Sequence, residues 1–162
     1  MPPTMANKDF SLPPAERIRD FLDTTSSHPT YEGWDKSVLK EIKLTDAKAG
    51  RTEFEFTITK PMCNAMDILH GGCATTILDV LTSTALLTIG KPGFLDSPSV
   101  SRTLTVSFLR AIPVGTRVKV VNEVQQAGRS FTNLTGTIQT LDGKVCVSCV
   151  HDKAMLGRTS KL

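Results

Sequence analysis

Between Ile68 and Gly90 only two side chains can carry a charge, His70 near the start and Asp79 in the middle. The rest of that stretch is apolar or small: Gly, Ala, Cys, Thr, Ser, Ile, Leu and Val. A segment apolar on every side must be enclosed by other structure. Its length and its hard stop at Gly90-Lys91-Pro92-Gly93 predict a long helix rather than a strand. The run is long enough to suggest a membrane span. The Gly71-Gly72 pair at its start and an Asp79 with no cation in the run argue against one, so no span is expected. Ionised groups are rarely buried unless paired or put to use, which makes Asp79 the first candidate for a working carboxylate.

The flanking sequence is strand-like. Phe54, Phe56 and Ile58 alternate with Glu53, Glu55 and Thr57, and Val38, Ile42 and Leu44 predict an earlier strand beginning near Ser37, with Ala47-Lys48-Ala49-Gly50 as the turn between them. After the helix, four strands are expected near 99–109, 116–125, 130–140 and 144–155, the last two joined by an Asp142-Gly143 hairpin turn. Upstream, Pro13 to Leu22 reads as a short amphipathic helix with Ile18, Phe21 and Leu22 on one face. Tyr31 and Trp34 are expected to pin this arm to the core, with lining of an acyl pocket as the alternative. The predicted fold class is therefore α+β, an antiparallel sheet wrapped around one long central helix, preceded by a short N-terminal helix.

Composition narrows the function. The 162 residues suffice for one domain with a real core, and a net charge of +3 suits a phosphate-bearing small ligand but is too weak for a nucleic-acid footprint. The N-terminus lacks the basic start and apolar core of a secretory signal. Cys63, Cys73, Cys146 and Cys149 read as reduced thiols of an intracellular protein. Cys146 and Cys149 match C-x-x-C, but in a strand, positions three apart face opposite sides; no metal site is expected.

Asn64, six residues before the His70-Gly71-Gly72 triplet, Asp79 nine residues beyond His70, and the strand Ser101-Arg102-Thr103-Leu104-Thr105-Val106-Ser107-Phe108-Leu109-Arg110 together resemble the hotdog-fold acyl-coenzyme A thioesterases of the phenylacetate-degradation and thioesterase superfamily member 2 type. The likeness covers about 33–155. It divides the chain into an arm (1–32), a hotdog domain (33–156) and a tail (157–162). Asp67 departs from the family, which tends to have a small or apolar residue there, and Ser99 rivals Ser101 in the alignment.

The resemblance implies hydrolysis of acyl-CoA to a free acid and coenzyme A, with no cofactor. The Gly71 amide and the Asn64 side chain would bind the thioester carbonyl, in keeping with the unpaired amides and positive dipole end of a helix start. His70 would orient the thioester, Asp79 would deprotonate the water and Ser101 would position it. Eight residues separate Gly71 from Asp79, about 12 Å along a helix, too far for both to serve one carbonyl. A homodimer sharing two sites is expected, with a dimer of dimers as the alternative. Arg110, Gly128, Arg129, Ser130 and Lys153 are candidate contacts for the coenzyme A phosphates. The terminal Ser160-Lys161-Leu162 reads as an address for the peroxisomal import receptor. Two other functions stand beside this one: a hotdog hydroxyacyl-thioester dehydratase, and a non-catalytic acyl-CoA-binding module.

Overall fold

A computed structural model describes residues 9–25 and 29–156; the Ser160-Lys161-Leu162 tail lies outside them. Helix α1 (Pro14–Thr25) opens on proline, which suits the first helical turn because its missing N–H would have no partner there. Its buried residues are Ile18 and Leu22, one turn apart. Arg17 fixes the arm by polar contacts. Its guanidinium donates to the carbonyls of Leu12 (2.7 Å), Phe10 (2.8 Å), Gly90 (2.9 Å) and Leu87 (3.1 Å). The Leu87 carbonyl is an orphan acceptor at the negative end of the central helix, where a cation is favoured, and Gly90 lies just beyond it.

Two expectations about the arm are corrected. Trp34 is 89% exposed, with its Nε1 donating to Thr76 Oγ1 at 3.2 Å, and Tyr31 folds over Gly33 and donates to Asp35 Oδ1 at 2.6 Å. The arm is held by Ile18, Leu22 and Arg17 instead. The strand expected to begin near Ser37 begins instead at Lys43, and the residues before it form a short helix, α2 (Lys36–Leu39). Its amides bond back to Gly33 and Asp35, and the buried residues are Leu39 and Ile42, a helical spacing that the alternation of Val38, Ile42 and Leu44 conceals.

Six strands follow: β1 (Lys43–Lys48), β2 (Arg51–Thr57), β3 (Ser99–Phe108), β4 (Arg117–Ala127), β5 (Phe131–Thr140) and β6 (Val145–Met155). They form one antiparallel sheet in the order β1-β2-β4-β5-β6-β3. The central helix α3 (Gly71–Leu87) lies across its inner face. Ile77, Leu78 and Leu81 from the helix meet Phe54, Phe56, Val118, Val120 and Ile138 from the strands, as hydrophobic burial drives. This is the hotdog architecture. No helix among the described residues is long and apolar enough to cross a membrane.

The helix is not enclosed equally along its length. From Leu81 to Thr88 every residue is buried, whereas Gly72, Thr75, Thr76, Asp79 and Val80 remain wholly or partly exposed. At the other end of the sheet, β3 pairs on one edge only, with β6.

Register places the polar residues of the core. Facing pairs put Ser101, Lys153 and Thr132 in one row across β3, β6 and β5, and Leu104, His151 and Leu134 in the next. Within β3 the pairing slips between Ser101 and Thr103, so that Arg102 is an extra residue. Such a bulge changes which alternate residues face inward. Beyond it Leu104 and Val106 pack on the core, while before it Ser101 shares the inner row with Lys153. Gly136 lets the helix approach β5 closely: a Cβ there would sit 2.7 Å from Thr82 Cγ2 and 3.1 Å from Cys149 Sγ.

Candidate active site

Two groups of polar residues flank α3. The first is at its start. His70 is the N-cap, with Nδ1 accepting the Gly72 amide at 2.9 Å. A neutral imidazole bonded this way carries its proton on Nε2, so the exposed ring offers a donor. The Gly71 amide has no acceptor among the described residues, as expected for the first position of a helix.

The loop before the helix presents Asn64. Its Oδ1 accepts from the amides of Met66 (2.9 Å) and Ile68 (3.3 Å), which fixes the side chain and leaves the Nδ2 hydrogens to donate elsewhere. Asp67 closes the same turn in the left-handed region (φ 58°), which Asp tolerates better than most residues, and its carboxylate is paired with Lys60. Its departure from the family thus serves the turn.

Beside Gly71 lies an apolar cleft of about 310 Å³, bounded by Ile68, Ala74, Phe108, Ile112 and Val147, with Arg110 among its lining residues. The Phe108 ring covers Gly71 so closely that a Cβ there would come within 3.3 Å of its Cζ.

The second group gathers around Asp79. Ser101 Oγ donates to Asp79 Oδ1 at 2.6 Å and lies 2.9 Å from His151 Nε2, and Lys153 Nζ donates to the same hydroxyl at 3.2 Å. His151 Nε2 is also 3.3 Å from Asp79 Oδ1, while its Nδ1 meets Thr82 Oγ1 at 2.7 Å. The Asp79 side chain is 43% exposed and His151 is fully buried. Of the two serines weighed in the sequence, Ser101 is the one that meets the carboxylate.

Burial, reinforced by the Lys153 charge, pushes the His151 pKa down to about 4 despite the opposing pull of Asp79 and Asp152. The ring is therefore neutral near pH 7. Burial also pushes the Cys149 thiol up to about 11, so it supplies no thiolate nucleophile beside the carboxylate.

The His151 shift predicts a pH-dependent stability. Between its unfolded value of 6.5 and its folded value of about 4, the unfolded chain binds a proton that the native protein refuses. Stability is full above 6.5 and falls by about 3 kcal/mol as the pH drops to 4. Thermal melts across that window should show the decline in the wild type and a flatter profile in His151→Gln. A wild-type profile without slope would contradict a neutral buried ring.

The expected coenzyme A contacts fall in separate places. Arg110 is exposed, donating to the Val145 carbonyl at the edge of the Gly71 cleft. Arg129 lines another cleft, of about 390 Å³, with Lys91, Gly93 and Phe94, and Ser130 lies in an adjoining one. The Gly128 amide is used internally, donating to the Phe131 carbonyl at 2.9 Å. Lys153 is buried in the Asp79 group, away from the surface where a phosphate contact is expected. Among the described residues no His, Cys, Asp and Glu side chains gather as a metal site, and the four cysteines are free thiols.

Comparison with known proteins places this arrangement. The pattern of the Thioesterase superfamily matches residues 66–147, which include the amide start of α3, Asp79 and Ser101. The chain belongs to the thioesterase superfamily. Thioester hydrolysis is accordingly its reaction class. It is 26% identical over 140 residues to human acyl-coenzyme A thioesterase 13, covering 85% of this chain and 94% of that protein. Zebrafish thioesterase superfamily member 2 superposes with a TM-score of 0.77 at 19% identity, over 90% of this chain and 99% of that one. A hypothetical thioesterase protein from Streptococcus pneumoniae, whose structure holds coenzyme A, superposes with a TM-score of 0.66 at 15% identity, over 75% of this chain and 90% of that one.

Sequence reasoning missed two members of the site. His151 and Thr82 carry no local signature, since one sits in a strand and the other in an apolar helix. One signal was available: in Val147 to Lys153 the odd positions face the core, which puts a histidine and a lysine where apolar residues belong.

Proposed function

We propose that the chain hydrolyses acyl-coenzyme A at two sites, each shared between the protomers of a homodimer. The observation carrying this reading is that each half of the machinery is unfinished alone. Among the described residues neither Gly71 N–H nor Asn64 Nδ2 has an acceptor, and Gly71 borders an apolar cleft, whereas Asp79, farther along α3, is bonded to Ser101 of β3. Two-fold pairing along the exposed half of α3 and the open edge of β3 would bring the start of one helix to the carboxylate of the other.

In each site, the two donors of one protomer polarise the carbonyl, and the dipole of the helix start favours the oxyanion that forms. His70, donating through Nε2, orients the thioester. Asp79 of the other protomer removes a proton from a water that Ser101 helps to hold. Collapse of the tetrahedral intermediate breaks the C–S bond, the thiol takes the proton, and the acid departs as its carboxylate. Coenzyme A arrives with the substrate and no further cofactor is needed. Arg110 and Arg129 are the arginines suited to its phosphates, and the relatives named above support coenzyme A as carrier.

The decisive measurement is free thiol released from a panel of acyl-CoA substrates, with wild type and Asp79→Ala compared. Release by the wild type alone supports hydrolysis. Water added or removed at carbon without thiol release would indicate a dehydratase, and binding without turnover would leave only a binding module.

The Ser160-Lys161-Leu162 terminus supports a peroxisomal site of action, where acyl-CoA chains are processed. A chain tagged at its N-terminus, with Leu162 left free at the other end, should collect in peroxisomes, and deletion of Leu162 should leave it in the cytosol. Import unchanged by the deletion would refute the address.

A further inference from the structure

We propose that Lys153 is a positioning residue for this hydrolysis, acting through Ser101: its ammonium group holds the hydroxyl so that the serine proton points at Asp79. The inference rests on the thioesterase reading. It replaces the surface phosphate contact expected of this lysine.

Lys153 is 5% exposed, and among the described residues no carboxylate lies within ion-pair distance of its Nζ. Its hydrogen bond goes to Ser101 Oγ. A buried ammonium without a direct counter-ion is costly, and an apolar residue would fill the same space more cheaply. The position therefore does something that packing does not require.

The row across the sheet shows what that is. The bulge at Arg102 sets Ser101 opposite Lys153, and on the other side Lys153 faces Thr132, whose buried Oγ1 has no partner among the described residues. A serine hydroxyl has one proton and two lone pairs. Lysine can only donate, so it occupies a lone pair and cannot take the proton. Asp79 Oδ1, at 2.6 Å, is the better acceptor for that proton than neutral His151 Nε2 at 2.9 Å. With Lys153 feeding the oxygen, the serine becomes a stronger donor to the carboxylate. The Asp79 charge opposes the burial that pushes the lysine pKa down.

The charged and titratable groups around this point are few. Helix α3 contributes Asp79, and β6 contributes Lys153, His151 and Cys149 on its inner face. On the outer face of β6, Asp152 accepts from Asn133 Nδ2 at 2.7 Å. Arg102 of β3 stacks on the Phe131 ring, 4.6 Å from its centroid.

The test compares wild type, Lys153→Met and Lys153→Arg on an acyl-CoA and on the matching acyl-pantetheine, which lacks the nucleotide phosphates. Lys153→Met should lower kcat about tenfold on both substrates, with KM changed less than twofold, since a stabilising donor is weakened and no substrate contact is lost. Lys153→Arg, which restores a cationic donor to the hydroxyl, should recover most of the lost kcat. If the methionine variant fails to fold, Lys153→Gln gives the same reading, because it too lacks the charge.

A raised KM confined to acyl-CoA would restore the phosphate role and overturn the proposal, as would wild-type kcat in Lys153→Met. A wild type inert toward every thioester would instead defeat the thioesterase reading on which the proposal rests.

Discussion

Asp79→Asn lowers kcat for acyl-CoA hydrolysis by about a thousandfold and leaves KM within a few-fold, as followed by thiol release. The size reflects the loss of a positioned base, worth 10²–10⁴-fold in general. Asparagine keeps the outline of the side chain and an oxygen that can accept from Ser101 Oγ, now 2.6 Å from Asp79 Oδ1. What it loses is the ability to take a proton. Ser101, His151 and Thr82 should therefore keep their places, and a melting temperature near that of the wild type would verify it. A variant retaining a tenth or more of wild-type kcat would remove Asp79 from the role of base.

Mixing two inactive variants gives the second large effect. Asn64→Ala removes the Nδ2 donor and Asp79→Ala removes the base, so each protein alone should fall close to background. If sites are shared, a heterodimer holds one site with both defects and one with neither. Random reassociation makes half the dimers mixed, so one quarter of all sites is intact and activity should return to about 25% of wild type. The variants must be unfolded and refolded together, and each refolded alone is the control. Activity that stays at background after mixed dimers are demonstrated would place the whole machinery within one protomer.

Much of this molecule can be read from sequence, for identifiable reasons. The central helix announces itself because an apolar run bounded by glycines has few alternatives, and β2 does so because Phe54, Phe56 and Ile58 alternate with charged or polar neighbours. The Asn64 to Gly71 group is local in sequence, so its spacing can be recognised. Other features are set by distant parts of the chain. Trp34 looks like an anchor because a large aromatic residue usually seeks the interior. Its exposure depends on where α2 carries the chain. Lys153 looks like a surface cation until the register of β6 turns it inward. His151 meets Thr82 only because Gly136 lets the helix come close to the sheet, a contact between residues 69 positions apart.

The slip in β3 has a consequence for variation in this chain. Upstream of Arg102 the strand turns one set of side chains inward, and downstream it turns in the other. Because Ser101 faces Lys153 and Thr103 faces Asp152, loss of that single residue would close the gap and leave both pairings as they are, with Ser101 still turned toward the acid and Leu104 and Val106 still on the core. A one-codon deletion here should thus be tolerated, because at this point the site is specified by which residues face each other across the sheet rather than by the number between them.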